Sequence, residues 1–193
     1  MASATTQTTI INRALQMLGY QSVGSISDNE RGAKAMNRAY QPTLLKALRD
    51  ITWNFSMKRV VLAASTTPPP FGKKNYFQLP GDFISLAPPD EDFNFNYIDW
   101  QIEGTQIATD DSAPLYVRYV SSNITESMFD PCFAEALSAM LAMGTCEELT
   151  QSNTKLAAIS KMYDDAIKSA KRNNAFENRP VNAPVDTWIT KRF

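Results

Sequence analysis

Residues 27–63 read SDNERGAKAMNRAYQPTLLKALRDITWNFSMKRVVLA, and they predict one long helix that leads directly into a β-strand. Ser27 and Glu30 mark the helix start as a capping-box pair, in which each side chain satisfies a backbone N–H of the first turn. Apolar residues then recur every three or four positions as far as Ile51, which places them on one stripe of a helix. The expected helix has about 24 residues and a length of roughly 36 Å.

Two residues modify this element, Pro42 within the helix and Trp53 beyond its end. A proline removes one backbone hydrogen bond and crowds the turn before it, so the sequence predicts a kink near Arg38 or Ala39. At Trp53 the spacing of apolar residues changes to every second position, because Trp53 and Phe55 alternate with polar residues. A half-buried strand is therefore expected to begin at Trp53 with almost no loop.

Three further helices are predicted on the two sides of this element. The first covers residues 8–18 and ends at a glycine. Another begins after Asp130, an N-cap residue, with Pro131 in its first turn. The last begins after Ser152 or Asn153, and the short join makes it an antiparallel neighbour of the helix before it.

The middle of the chain carries strand patterns. Residues 76–86 have apolar runs on both sides of a Pro-Gly pair, which predicts a strand, a tight turn and then a second strand or helical turn. Residues 98–109 predict a hairpin that turns at a Glu-Gly pair, and residues 115–120 predict another strand. With the strand from Trp53, these segments predict one small antiparallel sheet of about five strands.

The fold class that follows is α+β, with an antiparallel bundle of four main helices, one of them long and kinked, and an inserted small antiparallel β-domain. The helical bundle is discontinuous and comprises residues 1–52 and 127–176. The β-domain comprises residues 53–126. Residues 177–193 form an extended C-terminal tail, because two prolines and the loss of apolar periodicity end the last helix.

Composition excludes several classes of function. The chain of 193 residues contains no histidine, so Ser-His-Asp catalysis, Cys-His catalysis and His-ligated zinc sites are excluded. Cys132 and Cys146 fall in one predicted helix about 21 Å apart along its axis, which is too far for a disulfide within the chain. No apolar run reaches the roughly 20 residues of a membrane span, and no signal peptide is expected. A reduced, intracellular origin without membrane insertion is expected.

Charge is unevenly distributed, although the formal net charge is −1. Residues 75–117 contain eight acidic residues and no Lys or Arg, whereas residues 168–193 contain six basic residues against two acidic ones. Opposite ends of the molecule are therefore expected to carry opposite charge.

Five segments occur along the chain in a recognisable order. They are IINRALQMLGYQSV, the long helix with its strand, YFQLPGDFISL, QIEGTQIAT with LYVRYV, and FDPCFAEALSAMLA. The most specific part is RDITWNF at residues 49–55, where the helix leads into the Trp strand. This order, over residues 8–174, resembles the head-to-tail adaptor, or tail tubular protein A, of short-tailed bacteriophages. The resemblance implies a non-enzymatic protein with no catalytic residue, no cofactor and no metal.

The resemblance also implies a place in the virion. The adaptor forms a ring of twelve copies beneath the portal vertex, between the portal protein and the tail nozzle protein, and is assembled in the cytoplasm of the host bacterium. Genomic DNA passes through its lumen without specific binding. We expect head-to-tail contacts between copies, with the long helix and the helix after Pro131 supplying much of the wall. Free protein is expected to stay monomeric until a portal is present.

A channel through which DNA slides should not attract phosphate, since each attractive contact adds binding through counterion release. The acidic middle of the chain suits such a lumen. The residues expected to face the channel or the nozzle are Asp90, Glu91, Asp92, Asp99, Glu103, Asp110 and Asp111.

The C-terminal tail is expected to anchor the protein on the portal or on a neighbouring subunit. Pro180 and Pro184 keep it extended, and each large apolar side chain gains roughly 1.5 to 3 kcal/mol from burial. Trp and Arg are also the residue types most often found as interface anchors. The residues expected to bind the partner are Val181, Val185, Trp188, Ile189, Lys191, Arg192 and Phe193. The alternative is that the tail folds back over its own helices.

Two other functions remain open from the residues alone. A tail-borne cell-wall glycosidase would use Glu103 with Asp110 or Asp111 as its carboxylate pair. A nucleic-acid-binding module would use the basic helix at residues 161–172 together with the basic pair at residues 191–192.

Overall fold

The computed structural model describes residues 5–87 and 99–177. Within these residues the protein is α+β, with four helices and two antiparallel sheets of three strands each. The helices are α1 (Gln7–Leu18), α2 (Arg31–Asp50), α3 (Pro131–Thr150) and α4 (Asn153–Phe176). The strands are β1 (Met57–Leu62), β2 (Asn75–Gln78), β3 (Phe83–Ala87), β4 (Gln101–Glu103), β5 (Gln106–Thr109) and β6 (Leu115–Ser121).

The caps of three helices lie where the sequence predicts them. Gly19 follows α1 with a φ of 67°, a left-handed conformation that glycine adopts without steric cost. The Asp130 carboxylate accepts hydrogen bonds from the first backbone N–H groups of α3. The Ser152 hydroxyl accepts one from the Lys155 backbone N–H at the start of α4. The prediction of these three helices is confirmed.

The predicted capping box of the long helix is wrong. Helix α2 has 20 residues and begins after Glu30, whose side chain makes no capping hydrogen bond. The Ser27 hydroxyl bonds instead to the hydroxyl of Ser25, because the Asp28 carboxylate gathers the backbone N–H groups of Gly24 and Ser25 into a separate turn. This local turn ends before the helix starts. Pro42 lies inside α2 as expected, and the kink that it predicts stays a prediction.

The predicted strand from Trp53 is also wrong in its start. Residues Asn54–Ser56 form a short 3-10 turn, and β1 begins only at Met57. The reason lies in Trp53, whose indole N–H donates to the carbonyl of Ala47 at 3.0 Å and whose own carbonyl accepts from the Ser56 hydroxyl at 2.8 Å. The indole therefore belongs to the end of α2 and not to a sheet.

Helix α3 is the centre of the helical core. It is buried on several sides because α1, α2 and α4 all pack against it. Four aromatic rings pack together in this core around Phe133. The distances between ring centroids are 4.8 Å from Phe133 to Trp53, 4.8 Å to Phe55 and 5.0 Å to Phe129. Such edge-to-face and tilted contacts add to the free energy of burial.

The strands form two sheets, which corrects the expectation of one sheet of about five strands. Within the described residues the orders are β1-β6-β3 and β2-β5-β4, both antiparallel. The turn at Pro80-Gly81 does not close a hairpin, because it sends β2 and β3 into different sheets. A second apolar core combines side chains of both sheets, among them Phe77, Ile107 and Val117. The hairpin predicted at residues 98–109 is confirmed as β4 and β5.

The end of α4 returns to the start of the β region. The backbone N–H of Asn54 donates to the side chain of Asn174 at 2.9 Å, and the Asn54 side chain donates to the Asn174 carbonyl at 2.8 Å. The Asn174 amide in turn donates to the carbonyl of Thr52 at 3.0 Å. These bonds join the last helix to the link between α2 and β1. The predicted domain boundaries at residues 53 and 126 stay predictions.

Candidate functional site

Four of the seven acidic residues expected at a channel or nozzle lie in the described part of the chain. They surround the β4–β5 hairpin, and each is exposed. Asp99 precedes β4, while Asp110 and Asp111 follow β5, so the hairpin brings these three to its base. Glu103 lies at the turn, at the other end of the hairpin.

Lys73 is the cation at the base of this acidic cluster. Its ammonium group hydrogen-bonds to the carboxylate of Asp99 and lies 3.6 Å from that of Asp110. The bond to Asp99 raises the pKa of Lys73, because the carboxylate favours the charged ammonium form. Asp110 also accepts from the backbone N–H of Lys74 at 3.2 Å. The loop before β2 is thereby held against the hairpin.

The other two carboxylates have aromatic partners. The indole N–H of Trp100 donates to Asp111 at 2.6 Å, and the hydroxyl of Tyr76 donates to Glu103 at 2.6 Å. The bond to Glu103 raises the pKa of Tyr76, which keeps this hydroxyl protonated as a donor. All four carboxylates are thus fixed in direction, yet they stay exposed to solvent or to a partner; the Asp99 side chain is 73% exposed.

The carboxylate pair suggested for a glycosidase is not assembled around a shared partner. Glu103 and Asp110 lie at opposite ends of the hairpin and bond to Tyr76 and Lys73 respectively. Asp111, the second possible partner, is held by Trp100 at the same end as Asp110. A glycosidase needs two carboxyl groups that flank one bond, so this geometry offers no support for the pair. Catalytic activity itself stays untested.

Basic side chains lie mainly on two helices. Helix α4 carries the cations of the predicted nucleic-acid-binding helix at residues 161–172, and α2 carries a second exposed set. The exposed cations of α4 are Lys155, Lys161, Lys168, Lys171 and Arg172, and those of α2 include Lys34, Arg38, Lys46 and Arg49. On α2 the Arg38 guanidinium pairs with the carboxylate of Glu148 at 2.6 Å. The described surface therefore carries exposed cations on two helices and exposed carboxylates around one hairpin.

The remaining predicted residues lie outside the part that the structure describes. For the channel or nozzle set they are Asp90, Glu91 and Asp92. For the tail they are Val181, Val185, Trp188, Ile189, Lys191, Arg192 and Phe193.

No sequence pattern pointed to Asp82, which joins the turn after β2 to the sheet β1-β6-β3. Its carboxylate accepts hydrogen bonds from Lys58 at 2.8 Å, Ser121 at 2.7 Å and the Tyr119 hydroxyl at 3.0 Å. These donors, Lys58 first, lower the pKa of Asp82 to about 2. Burial and the bond to Asp82 raise the pKa of Tyr119 to about 12. The hydrogen-bond partners of Asp82 are 24 or more positions away in the sequence, so no local pattern contains them. The only feature near Asp82 that could have drawn attention to it is its position directly after a Pro-Gly turn.

We expect Asp82→Asn to lower the free energy of unfolding by about 2 kcal/mol at neutral pH, since each tenfold change in proton affinity is worth about 1.4 kcal/mol. The lowered pKa means that the native carboxylate stabilises the fold above the unfolded pKa of roughly 4 and loses this effect as pH falls to about 2. Urea unfolding at several pH values measures both effects. Asp165→Asn on the exposed side of α4 is the matched control. Equal losses of unfolding free energy in the two variants would contradict the assignment. It would also be contradicted if the stability of Asp82→Asn fell at acid pH as steeply as that of the wild-type protein.

No protein-family model matches the sequence, and no curated protein matches it significantly. Among residues 5–87 and 99–177, no three His, Cys, Asp or Glu side chains are grouped so that they would hold a metal ion. None of the helices in these ranges has the length and apolar character of a membrane span. Cys132 and Cys146 are both free thiols.

Proposed function

We propose that this chain is the head-to-tail adaptor of a short-tailed bacteriophage. In this proposal twelve copies form a ring in the virion tail, beneath the portal vertex and above the nozzle, and DNA passes through the ring. The proteins are assembled in the cytoplasm of the host bacterium. The protein acts through its surfaces and needs neither a cofactor nor a catalytic residue.

The observation that supports this proposal best is the junction at Trp53. The segment RDITWNF, which is the most specific part of the resemblance, connects the helical core to the sheets through the buried indole of Trp53. The end of α4 is bonded to the same link through Asn54 and Asn174. The segment that leads into the β strands and the segment that follows α4 therefore both start beside Trp53. In our proposal the first is a β-domain and the second is a C-terminal tail.

The finer architecture is part of the proposal. The four helices would form an antiparallel bundle in which α2 is kinked at Pro42, and the tail at 177–193 would be extended. A head-to-tail ring brings unlike surfaces of neighbouring copies together, and the exposed side of α2, the long helix, would supply part of the wall.

The mass of the protein with and without purified portal tests the proposal. The free chain should have the mass of a monomer, since each contact between copies is weak alone. On a portal, electron microscopy should show one added ring of twelve copies. Particles without ring density under both conditions would show that the chain is not an adaptor of this kind.

We also propose that the acidic cluster faces the lumen or the nozzle. In its support, Asp99, Glu103, Asp110 and Asp111 are exposed and fixed by neighbours, so their charge stays at the surface. A lumen lined in this way repels phosphate and lets duplex DNA slide. Asp90, Glu91 and Asp92 belong to the same proposal, although they lie outside the described residues.

Charge reversal of Asp99 and Glu103 to Lys is expected to make the assembled ring bind duplex DNA. The wild-type ring should show no measurable binding to the duplex at moderate salt. The variant ring should bind, and its affinity should fall as salt rises. In a plot of log affinity against log salt concentration, each phosphate contact should contribute a slope of about −0.9. Fluorescence anisotropy of a labelled duplex measures this. The control is the same charge change at Glu30 and Glu147, two exposed acids outside both the hairpin and the helix at residues 161–172. Equal binding in the control, or a ring map with all seven acidic residues on the outer rim, would refute the lumen assignment.

A further inference from the structure

The loop between β1 and β2 carries an exposed apolar tip. Residues 66–72 read TTPPPFG and are named the proline arm below. Every residue of this arm except Pro69 is exposed, and Phe71 is 87% exposed. Within residues 5–87 and 99–177, no other large apolar residue is exposed to this extent. Because prolines directly precede Phe71, the tip offers apolar atoms from several neighbouring residues and not from a single scattered side chain.

Both ends of the proline arm are fixed to the β region. Before the arm, the backbone N–H of Ser65 donates to the carbonyl of Tyr76 on β2 at 2.7 Å. After the arm, the ammonium group of Lys73 bonds to the carboxylate of Asp99, which precedes β4. The arm therefore projects from a base that hydrogen bonds hold on both sides.

The residues of the arm also restrict its conformations. Each of its three prolines holds φ near −65°, and consecutive prolines favour an extended backbone. Gly72 has a φ of 85°, a conformation that other residues rarely adopt, and it turns the chain from the tip back to the base. A loop that is already restricted loses less conformational entropy when it binds a partner. Phe71 is thus presented on a stiff loop, as insertion into a pocket requires.

The base of the proline arm is mainly acidic, whereas the arm itself is uncharged. Asp99, Asp110 and Asp111 are exposed there. Of the two lysines at the same place, Lys73 is bonded to Asp99 and its side chain is only 14% exposed, while Lys74 is exposed. An apolar centre with a charged rim is the usual anatomy of a protein interface. An acidic rim is complementary to a partner whose surface is basic.

We propose that the proline arm inserts Phe71 into an apolar pocket of the nozzle protein, and that basic residues of the nozzle surround this pocket. The inference rests on the proposed function and names the contact between the ring and the nozzle. Proline-rich segments bind grooves that are lined by aromatic side chains, so the pocket should be aromatic. The arm shares its base with the acidic cluster, which we assign to the lumen or the nozzle, so it belongs to that end of the ring.

Binding of purified nozzle protein to the full-length chain tests this contact, with the chain both free and assembled on a portal. Phe71→Ala should lower the affinity at least about tenfold, because it removes the central aromatic anchor. Tyr116→Ala is the matched control, since it removes another aromatic ring of a residue that is 67% exposed, on β6. It should leave the affinity within about twofold of the wild-type value. Biolayer interferometry measures these affinities.

A fluorescent residue at the tip reports whether the arm enters a pocket. Phe71→Trp keeps an aromatic ring, so nozzle binding should persist. Its emission, after subtraction of the wild-type spectrum, should move to shorter wavelength when nozzle protein is added, because the indole leaves water. Tyr116→Trp is the control and should show no such shift.

The outcomes distinguish this inference from the proposed function. If Phe71→Ala binds the nozzle as tightly as the wild-type chain while the ring still forms on the portal, the inference fails and the proposed function stands. If no ring forms on the portal, the proposed function fails, and the affinity of the free chain for the nozzle still decides the contact. A wild-type chain that binds no nozzle in either form overturns the inference. So does a Phe71→Ala chain that loses self-association or portal attachment in place of nozzle binding, because the arm would then contact another copy or the portal.

Discussion

A chain that lacks residues 187–193 is expected to fold with an unchanged melting temperature and to lose its attachment to the portal ring. The described helices, strands and both apolar cores lie within residues 5–177, and in our proposal they pack without the tail. The deletion removes Trp188, Arg192 and Phe193. Since one interface anchor contributes about 2 kcal/mol or more and 1.4 kcal/mol corresponds to tenfold, affinity should fall by at least about thirtyfold. Sedimentation with purified portal measures the loss.

Two single substitutions within the tail make this test sharper. Trp188→Ala should reproduce much of the loss, because it removes the largest anchor, whereas Thr187→Ala should change binding little. Circular dichroism melting of each variant shows whether the core is intact. A truncated chain that unfolds would favour a tail that packs on its own helices, and one that still attaches with normal affinity would show that the tail is not the anchor.

Trp53→Ala is expected to lower the free energy of unfolding by about 3 to 5 kcal/mol, which is a large part of the stability of an ordinary domain. The indole is 1% exposed and lies 4.8 Å from the ring of Phe133. Its removal leaves a cavity at the junction of helices and sheets and deprives the Ala47 carbonyl of its donor. For a chain of this length the melting temperature should fall by roughly 10 °C. Calorimetry and urea unfolding measure the two quantities.

Two further variants separate the contributions of this side chain. Trp53→Phe keeps an aromatic ring but removes the N–H, so its cost should be smaller, about 1 to 3 kcal/mol. Phe71→Ala removes an aromatic ring that is 87% exposed and should change stability by no more than about 0.5 kcal/mol. If Trp53→Ala and Phe71→Ala were equally stable, the buried junction at Trp53 would not hold the fold together as we describe.

Local signals in the sequence were sufficient for many of the elements. Gly19, Asp130 and Ser152 end or begin helices through bonds to backbone groups within a few positions, so no distant residue is needed to interpret them. The hairpin at residues 101–109 follows from alternation and a Glu-Gly turn in the same way. The same reasoning found the acidic residues at the base of this hairpin, although not the partners that fix them.

Predictions from local patterns failed where the same residues are compatible with more than one conformation. Ser27 and Glu30 fit a capping box, but Asp28 gathers the nearby N–H groups into its own turn. Trp53 and Phe55 fit a strand, but both rings are drawn into the helical core. At residues 76–86 the predicted strand, turn and second strand are present as β2 and β3, but the pattern does not indicate that the two strands join different sheets. In each case one short pattern is compatible with more than one arrangement of the backbone.

Alternation, caps and composition in the sequence determined which residues are helical or extended and which functions the absence of histidine excludes. Only the tertiary structure decided that β2 and β3 join different sheets, that Trp53 bonds to Ala47, and that Asp82 meets donors up to 39 positions away. Backbone preference depends on neighbouring residues, so it can be read along the chain. The choice of a partner depends on the free energy of burying many distant side chains together, and that sum exists only once the chain has folded.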